Sequence, residues 1–289
     1  IKKGDYTLQL DKDYVIKSIT GNTEVGVATV EIEGTGSYSG TKSLEFNIVP
    51  KPIEDCTITG IEDTQYEMGA AIEPAVTVKN GTVELVQGRD YTLAFNNNID
   101  VSDSAEVVIT AKSSNYTGDA TKIFKITPVS ITAAGNGVSI TNADATQEYT
   151  GTDIEPEIKI TRYYNRKIYT LEQGKDYTVV YENNREVTGS GERASITVTG
   201  TGNFSGQTVI RFEISKRSIS SCAVESVPDQ QWTGSEIEPD VAVYNGIIKL
   251  ENGGDYDVIY SDNIDEGEAS YTVIGKGDHY TGSVTKYFR

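Results

Sequence analysis

The eight residues "YTGTDIEP", Tyr149 to Pro156, return as "WTGSEIEP" at Trp232 to Pro239 and, in a worn form, as "YEMGAAIEP" at Tyr66 to Pro74. The three prolines stand 82 and 83 positions apart. Two carboxylates, a pair of hydroxyls and an aromatic ring would suit the acid end of an active site if they occurred once. Spelled three times at a fixed period, they mark a repeated unit, and repetition has to be settled before any element is assigned.

Other landmarks keep the beat. Asp-Tyr pairs fall at Asp90-Tyr91, Asp176-Tyr177 and Asp255-Tyr256, and "KGDYTLQL" supplies a fourth at Asp5-Tyr6. A glycine-rich turn follows each pair, ending at Gly40, Gly118, Gly206 and Gly282, and then a strand closing on Phe46, Phe124, Phe212 and Phe288. The boundaries predicted from this beat are a partial repeat over 1–50, then 51–128, 129–215 and 216–289. By the same count roughly the first 33 residues of the opening repeat are missing. The joints near Pro50, Pro128 and Lys216 are short and two of them hold proline, which predicts stiff connections and an end-to-end rod.

Segments such as "ASITVTG", "AEVVITA" and "YTVVY" alternate small or polar with β-branched or aromatic residues, the period of a half-buried strand. With 28 glycines, 18 tyrosines and no stretch of clear helical period, the expected class is all-β, as tandem antiparallel sandwiches of immunoglobulin-like type. "IEP" should start or edge a strand, because proline forces its predecessor extended and donates no ladder bond. The Tyr or Trp before it is expected to anchor a strand to the core. "NNN", "ENN" and "SDN" read as turns.

The formal charge of −18, from 43 acidic against 25 basic residues, argues against nucleic acid, whose affinity rests on Lys and Arg, and against anionic membranes. No apolar run spans a bilayer. Cys56 and Cys222 occupy equivalent places in non-adjacent repeats and are expected to be unpaired thiols.

Taken together, aromatic-Thr-Gly through Ile-Glu-Pro, the Asp-Tyr strand, Asn, the glycine-rich turn and the closing Phe resemble the tandem Ig-like repeats of Gram-positive surface and secreted proteins. Trp232, Glu238, Pro239, Asp255, Tyr256, Asn263, Gly277, Tyr280 and Phe288 carry the likeness, which covers essentially the whole chain. It implies an extracellular, secreted or wall-attached spacer, expected to be monomeric, that lifts an adhesin, a carbohydrate-binding module or a hydrolase from the wall. Some members of that class are themselves binders. Lys-Asn isopeptide bonds also occur in related stalks, but this sequence gives no assignment of one.

Catalysis finds little support. His279 is the one histidine, placed in an exposed turn by this reading, with no second His or Cys beside it. Carboxylate pairs such as Asp153 with Glu155 and Glu236 with Glu238 recur as an acidic surface would. "NNNIDVSD" (96–103) and "SDNIDEGE" (261–268) offer oxygens to calcium, yet depart from the loop pattern that places Gly sixth. No other cofactor is expected.

One repeat departs from its siblings. Pro74 to Gly88 and Pro239 to Gly253 each span 14 positions, whereas Pro156 to Gly174 spans 18. The surplus lies in "TRYYNRKIYT", where a longer hairpin is expected to replace a tight Asn-Gly one. Its Arg162, Tyr163, Tyr164, Arg166, Lys167 and Tyr169 are the residue types enriched at binding hot spots, and loops on rigid sandwiches commonly carry such sites. Those six are the candidate ligand-binding residues, for a carbohydrate such as starch or mucin glycan or for a host protein. The plainer alternative is a hairpin whose tyrosines cover the adjacent sheet.

Overall fold

The computed structural model describes residues 1–141, 145–189, 191 and 193–289. The described residues form strands, turns and two short 3-10 turns, with no α-helix. The chain divides into two compact units, Ile1–Thr127 and Pro128–Arg289.

In the first unit, Tyr91–Asn96, Ser102–Ala111 and Asp119–Thr127 make an antiparallel ladder joined by Thr64–Gln65 in parallel. A second sheet of Thr57–Thr59, Thr77–Asn80 and Val83–Glu84 accompanies it. Residues from both sheets and from the 3-10 turn Ile53–Asp55 meet in one core of Ile53, Cys56, Val78, Leu85, Tyr91, Val107, Ile109 and Ala120. The alternation read from the sequence puts every second residue of Tyr91–Asn96 inward, which is what a sheet covered on one face requires.

The second unit holds the same plan twice. Tyr177–Glu182, Ala194–Gly200 and Gln207–Phe212 form one ladder, with Val138–Thr141, Lys159–Tyr164 and Lys167–Thr170 as the other sheet. Tyr256–Ser261, Ala269–Gly275 and Ser283–Phe288 form the next, with Ala223–Val224, Val243–Asn245 and Ile248–Lys249. Tyr256, Tyr271, Val273, Tyr280 and Phe288 dominate the last core.

The opening ladder, Tyr14–Thr20, Gly26–Gly34 and Thr41–Ile48, has no second three-stranded sheet in its own segment among the described residues. Its Phe46 is 46% exposed, against 2% for Phe124 and 0% for Phe212.

One landmark falls elsewhere than the sequence reading put it. In three segments the Asp carboxylate accepts the backbone N–H four residues earlier: Val86 to Asp90, Glu172 to Asp176 and Glu251 to Asp255, at 2.8–2.9 Å. The fourth copy is Gln9 to Asp13, at 2.9 Å, so Asp13-Tyr14 and not Asp5-Tyr6 opens the first ladder. Asp11 N–H donates to Tyr14 O at 2.8 Å as Gly88, Gly174 and Gly253 donate to Tyr91, Tyr177 and Tyr256 at 2.7 Å. That position takes a positive φ in every copy, and Asp11 adopts φ 63° where the others use glycine. An acidic side chain at a glycine place hid the motif.

The turn after each ladder strand is closed the same way. Gly34, Ala111, Gly200 and Gly275 donate to Gly40, Gly118, Gly206 and Gly282 at 2.9–3.0 Å. The aromatic inside the turn folds into the core, with Phe204 and Tyr280 buried.

Candidate functional site

The repeated "IEP" phrase holds the backbone of its own segment. Ile72, Ile154 and Ile237 donate their N–H to the carbonyls of Asn98, Asn184 and Asn263 at 2.7–2.9 Å, and each Asn returns its Nδ2 to the same isoleucine's carbonyl at 3.0–3.1 Å. The residue before each Asn sits at positive φ: Asn97, Asn183 and Asp262. The carbonyls of Pro156 and Pro239 in turn accept the hydroxyls of Tyr181 and Tyr260. These polar groups close two chain crossings in each of the last two segments and one in the 51–128 segment, where Phe95 has no hydroxyl to offer Pro74. Among the described residues no group of three or more His, Cys, Asp or Glu is placed to hold a metal ion.

The long hairpin is built by strand extension. Lys159–Tyr164 pairs with Lys167–Thr170 through Thr161↔Thr170, Arg162↔Tyr169, Tyr163↔Ile168 and Tyr164↔Lys167. Its turn is the two residues Asn165 and Arg166, at φ 48° and 63°, the mirror-image geometry that matches strand twist. The sibling hairpins also turn on two residues, between Asn80 and Val83 and between Asn245 and Ile248. The surplus residues therefore add ladder rungs, and the loop itself stays tight.

Extension sorts the six candidate residues onto two faces. Arg162 is 3% exposed, its Nε donating to Asn136 O at 3.3 Å and its guanidinium 4.6 Å from the Tyr164 ring centre. Lys167 Nζ lies 4.7 Å from the centre of the Tyr169 ring. Arg162, Tyr164, Lys167 and Tyr169 thus engage one another, and Arg162 is turned inward where the sequence reading had it reach for a ligand. On the opposite face Tyr163 is 59% exposed beside its cross-strand partner Ile168 at 67%, with Arg166 exposed at the tip. Ile168 is the member of the surface that residue type alone did not single out.

The aromatic that opens the repeated phrase is the second feature. Tyr66 packs on the core of its own segment, against Ile72, Ala105, Phe124 and Ile126, as expected. Tyr149 instead packs against the core of the 216–289 segment. Its ring stacks on His279, centroids 4.3 Å apart and 12° from parallel, and meets Tyr280 edge-on at 5.8 Å. Burial pushes the Tyr149 hydroxyl's pKa above the usual tyrosine range, with the Glu186 charge adding to it. His279 Nε2 is 2.8 Å from Glu186 Oε2, and because a carboxylate only accepts, the imidazole N–H donates. His279 is thus a partnered residue of the joint, where the sequence suggested an exposed turn. Gly151 completes the contact, since a Cβ there would come within 2.5 Å of Ile248 Cδ1.

Trp232, the third copy, behaves differently again. It is 67% exposed, contrary to the expected core anchor, and lies at a cavity of ≈ 620 Å³ lined also by Ile237, Asn263, Asp265, Phe288 and Arg289.

Cys56 is buried and Cys222 half-buried, both as free thiols, and burial raises the pKa of each.

The ladders and cores define an all-β protein of immunoglobulin-like antiparallel sandwiches. No family model matches the chain, and no curated protein does. Solved structures similar to it include protocadherin gamma B2 extracellular cadherin domains 3–6, at 10% identity over 91% of this chain and 82% of that one, with a TM-score of 0.19. Protocadherin gamma B2 extracellular cadherin domains 1–5 match at 13% identity over 92% of this chain, which spans just under two thirds (65%) of that one, with a TM-score of 0.19. PcdhgB3 EC1-4 matches at 12% identity over 94% of this chain and 83% of that one, with a TM-score of 0.16. The all-β class rests on the chain's own ladders.

Proposed function

We propose that this chain is a non-catalytic repeat region of an extracellular protein, a monomeric spacer of the kind found on Gram-positive surfaces, divided at about residues 50, 128 and 215. The observation that carries the reading is the fate of the recurring polar side chains. Asp90, Asp176 and Asp255 hold the N–H of Val86, Glu172 and Glu251, and Asn98, Asn184 and Asn263 clamp the "IEP" isoleucines. Side chains engaged on their own backbone specify a module and are not themselves available to a reacting centre.

Small-angle scattering of the full chain tests the spacer. A compact chain of 289 residues would have a radius of gyration of about 19 Å, and a spacer must lie well above it. A value near the compact figure sinks the reading.

A second reading has its own observation. The exposed Tyr163–Ile168 pair with Arg166 at the tip offers an apolar, cation-edged surface to a glycan or a host protein. Retention on soluble starch and mucin glycans, lost in Tyr163→Ala and Ile168→Ala, would support it. Retention equal in both variants and the parent would place any binding elsewhere.

A further inference from the structure

Resting on the repeat reading above, we infer that the Trp232 end of the 216–289 segment is a docking surface for a further sandwich repeat of this same class, received through that repeat's glycine-rich closing turn. The same corner of the repeat occurs twice in the second unit and is covered in one copy.

The two copies share their hydroxyl turn and their asparagine clamp. Thr150 Oγ1 donates to Thr152 O at 3.0 Å and accepts Thr152 N–H at 3.3 Å; Thr233 Oγ1 does the same to Ser235 at 3.1 and 3.3 Å. Gly151 and Gly234 follow at φ 83° and 74°. The clamps Ile154–Asn184 and Ile237–Asn263 fix the next corner alike. Counting two residues on from each clamp Asn gives Glu186 in one copy and Asp265 in the other.

In the covered copy five residues meet. Tyr149 offers a ring face, Glu186 a carboxylate, and Gly151 a bare backbone; the incoming segment supplies His279, which stacks on the ring and donates to the carboxylate, and Ile248, which fills the space over the glycine. In the open copy Trp232 and Asp265 present a ring and a carboxylate at the cavity, while Gly234 lies under the Trp232 ring itself, whose Cζ2 and Cη2 would stand 3.6 Å from a Cβ there. The chemistry they select is a planar ring with an N–H donor beside a short aliphatic side chain. That combination is already present in this chain, with His279 on the glycine-rich turn and Ile248 on the strand Ile248–Lys249 of the 216–289 segment. Two ion pairs are not reproduced: Glu148, 3.7 Å from Arg217, has Gln231 as its counterpart, and Arg185, 3.9 Å from Asp153, has Ile264. The docking therefore needs no basic residue at the Arg217 place. A tryptophan left two-thirds exposed at a cavity beside the buried Phe288 is the kind of surface that marks an interface.

Trp232 is the sole tryptophan, so its emission reports this surface alone. The test protein is the full chain with a second copy of residues 214–289 joined after Arg289, its own Trp232→Phe, which preserves the spacing from the closing Phe212 to the next segment. A calibration protein, the parent chain with Tyr149→Trp and Trp232→Phe, gives the emission of a ring at the covered joint. The expected result is a shift of Trp232 emission to shorter wavelength and a loss of iodide quenching, both reaching the calibration values. Asp265→Ala in the extended chain should restore part of the quenching. Hydrogen exchange along the added Ala269–Gly275 strand reports whether the added copy folds. Trp232 emission unchanged from the parent, with the added copy folded or unfolded, overturns the inference. Quenching or shifting of the parent's Trp232 by soluble oligosaccharide would assign the surface to a sugar and overturn it too. A compact radius of gyration with the expected emission shift would sink the spacer reading alone.

Discussion

Replacing Tyr149 by alanine should weaken the segment that follows it more than the one that carries it. Tyr149 is half-buried, and its partners beyond its own segment are His279, Tyr280 and the core they close. A fully buried tyrosine removes some 150–250 Å² from water, so about 100 Å² at half burial is worth about 2.5 kcal/mol, with about 0.5–1.5 more for the aromatic contacts. Some of that area faces its own segment, leaving about 2–3 kcal/mol to be lost at the joint. Trp232 lies in the 216–289 segment, so urea unfolding followed by its fluorescence, checked by near-ultraviolet circular dichroism, reads the affected part. With a slope of about 1–1.5 kcal/mol/M for a domain of this size, the midpoint should fall by about 1.5–3 M. Tyr149→Phe should stay within about 0.5 kcal/mol of the parent, because the stack survives and the hydroxyl makes no hydrogen bond among the described residues that phenylalanine would lose. A Tyr149→Ala midpoint indistinguishable from the parent would refute the reasoning. It would mean that the ring contact with His279 adds nothing to the stability of the 216–289 segment.

Asp13→Ala and Asp176→Ala should each cost about 1–2 kcal/mol in chemical denaturation, whereas Asp5→Ala should cost under about 0.5; equal effects of Asp5 and Asp13 would undo the corrected register. The guanidinium of Arg89, hydrogen-bonded at 2.7 Å, holds the Asp90 carboxyl below the usual carboxylate range, and the N–H of Val86 acts in the same direction. A depressed folded-state value contributes stability above the unfolded value, lost as pH falls through the folded one, so the parent should lose stability faster than Asp90→Asn below about pH 4. Equal slopes for the two would count against it. Cys56, buried and with its thiol raised by that burial, should react with a disulfide reagent at pH 8 far more slowly in the native chain than in urea. Native and unfolded rates that agree would show the segment opens freely.

What the sequence disclosed and what it hid divide along the range of the interactions. Alternation in "ASITVTG" and "YTVVY" is a local property, and those stretches are the strands Ala194–Gly200 and Tyr177–Glu182. The Asn clamps were legible as turns only, because the isoleucine that Asn184 holds lies 30 positions away. Asp11 hid the first Asp-Tyr corner, since the backbone needs a positive φ there and the sequence supplied a residue less fluent in it than glycine. Arg162 looked like a binding cation because hairpin tips are exposed. Four more residues lengthened the ladder instead, which moved Arg162 from the tip to an inward rung and left Tyr163 and Ile168 facing out.

Repetition sharpens this distinction, because each segment serves as a control for the others. A side chain that makes the same bond in each repeat, as Asp176 and Asn184 do, is accounted for by the module and tells nothing of a partner. A side chain whose surroundings change while its local backbone does not is where the module meets something outside itself. Tyr66, Tyr149 and Trp232 stand at one place in the phrase, yet one covers its own core, one covers the next segment's core and one faces solvent. The hydroxyl turns that follow Tyr149 and Trp232 coincide, and the half-buried ring differs from the exposed one in what lies against it. Hydrophobic free energy scales with area removed from water, and a ring the size of tryptophan left open forgoes a contribution that its Tyr149 counterpart obtains through a neighbouring turn.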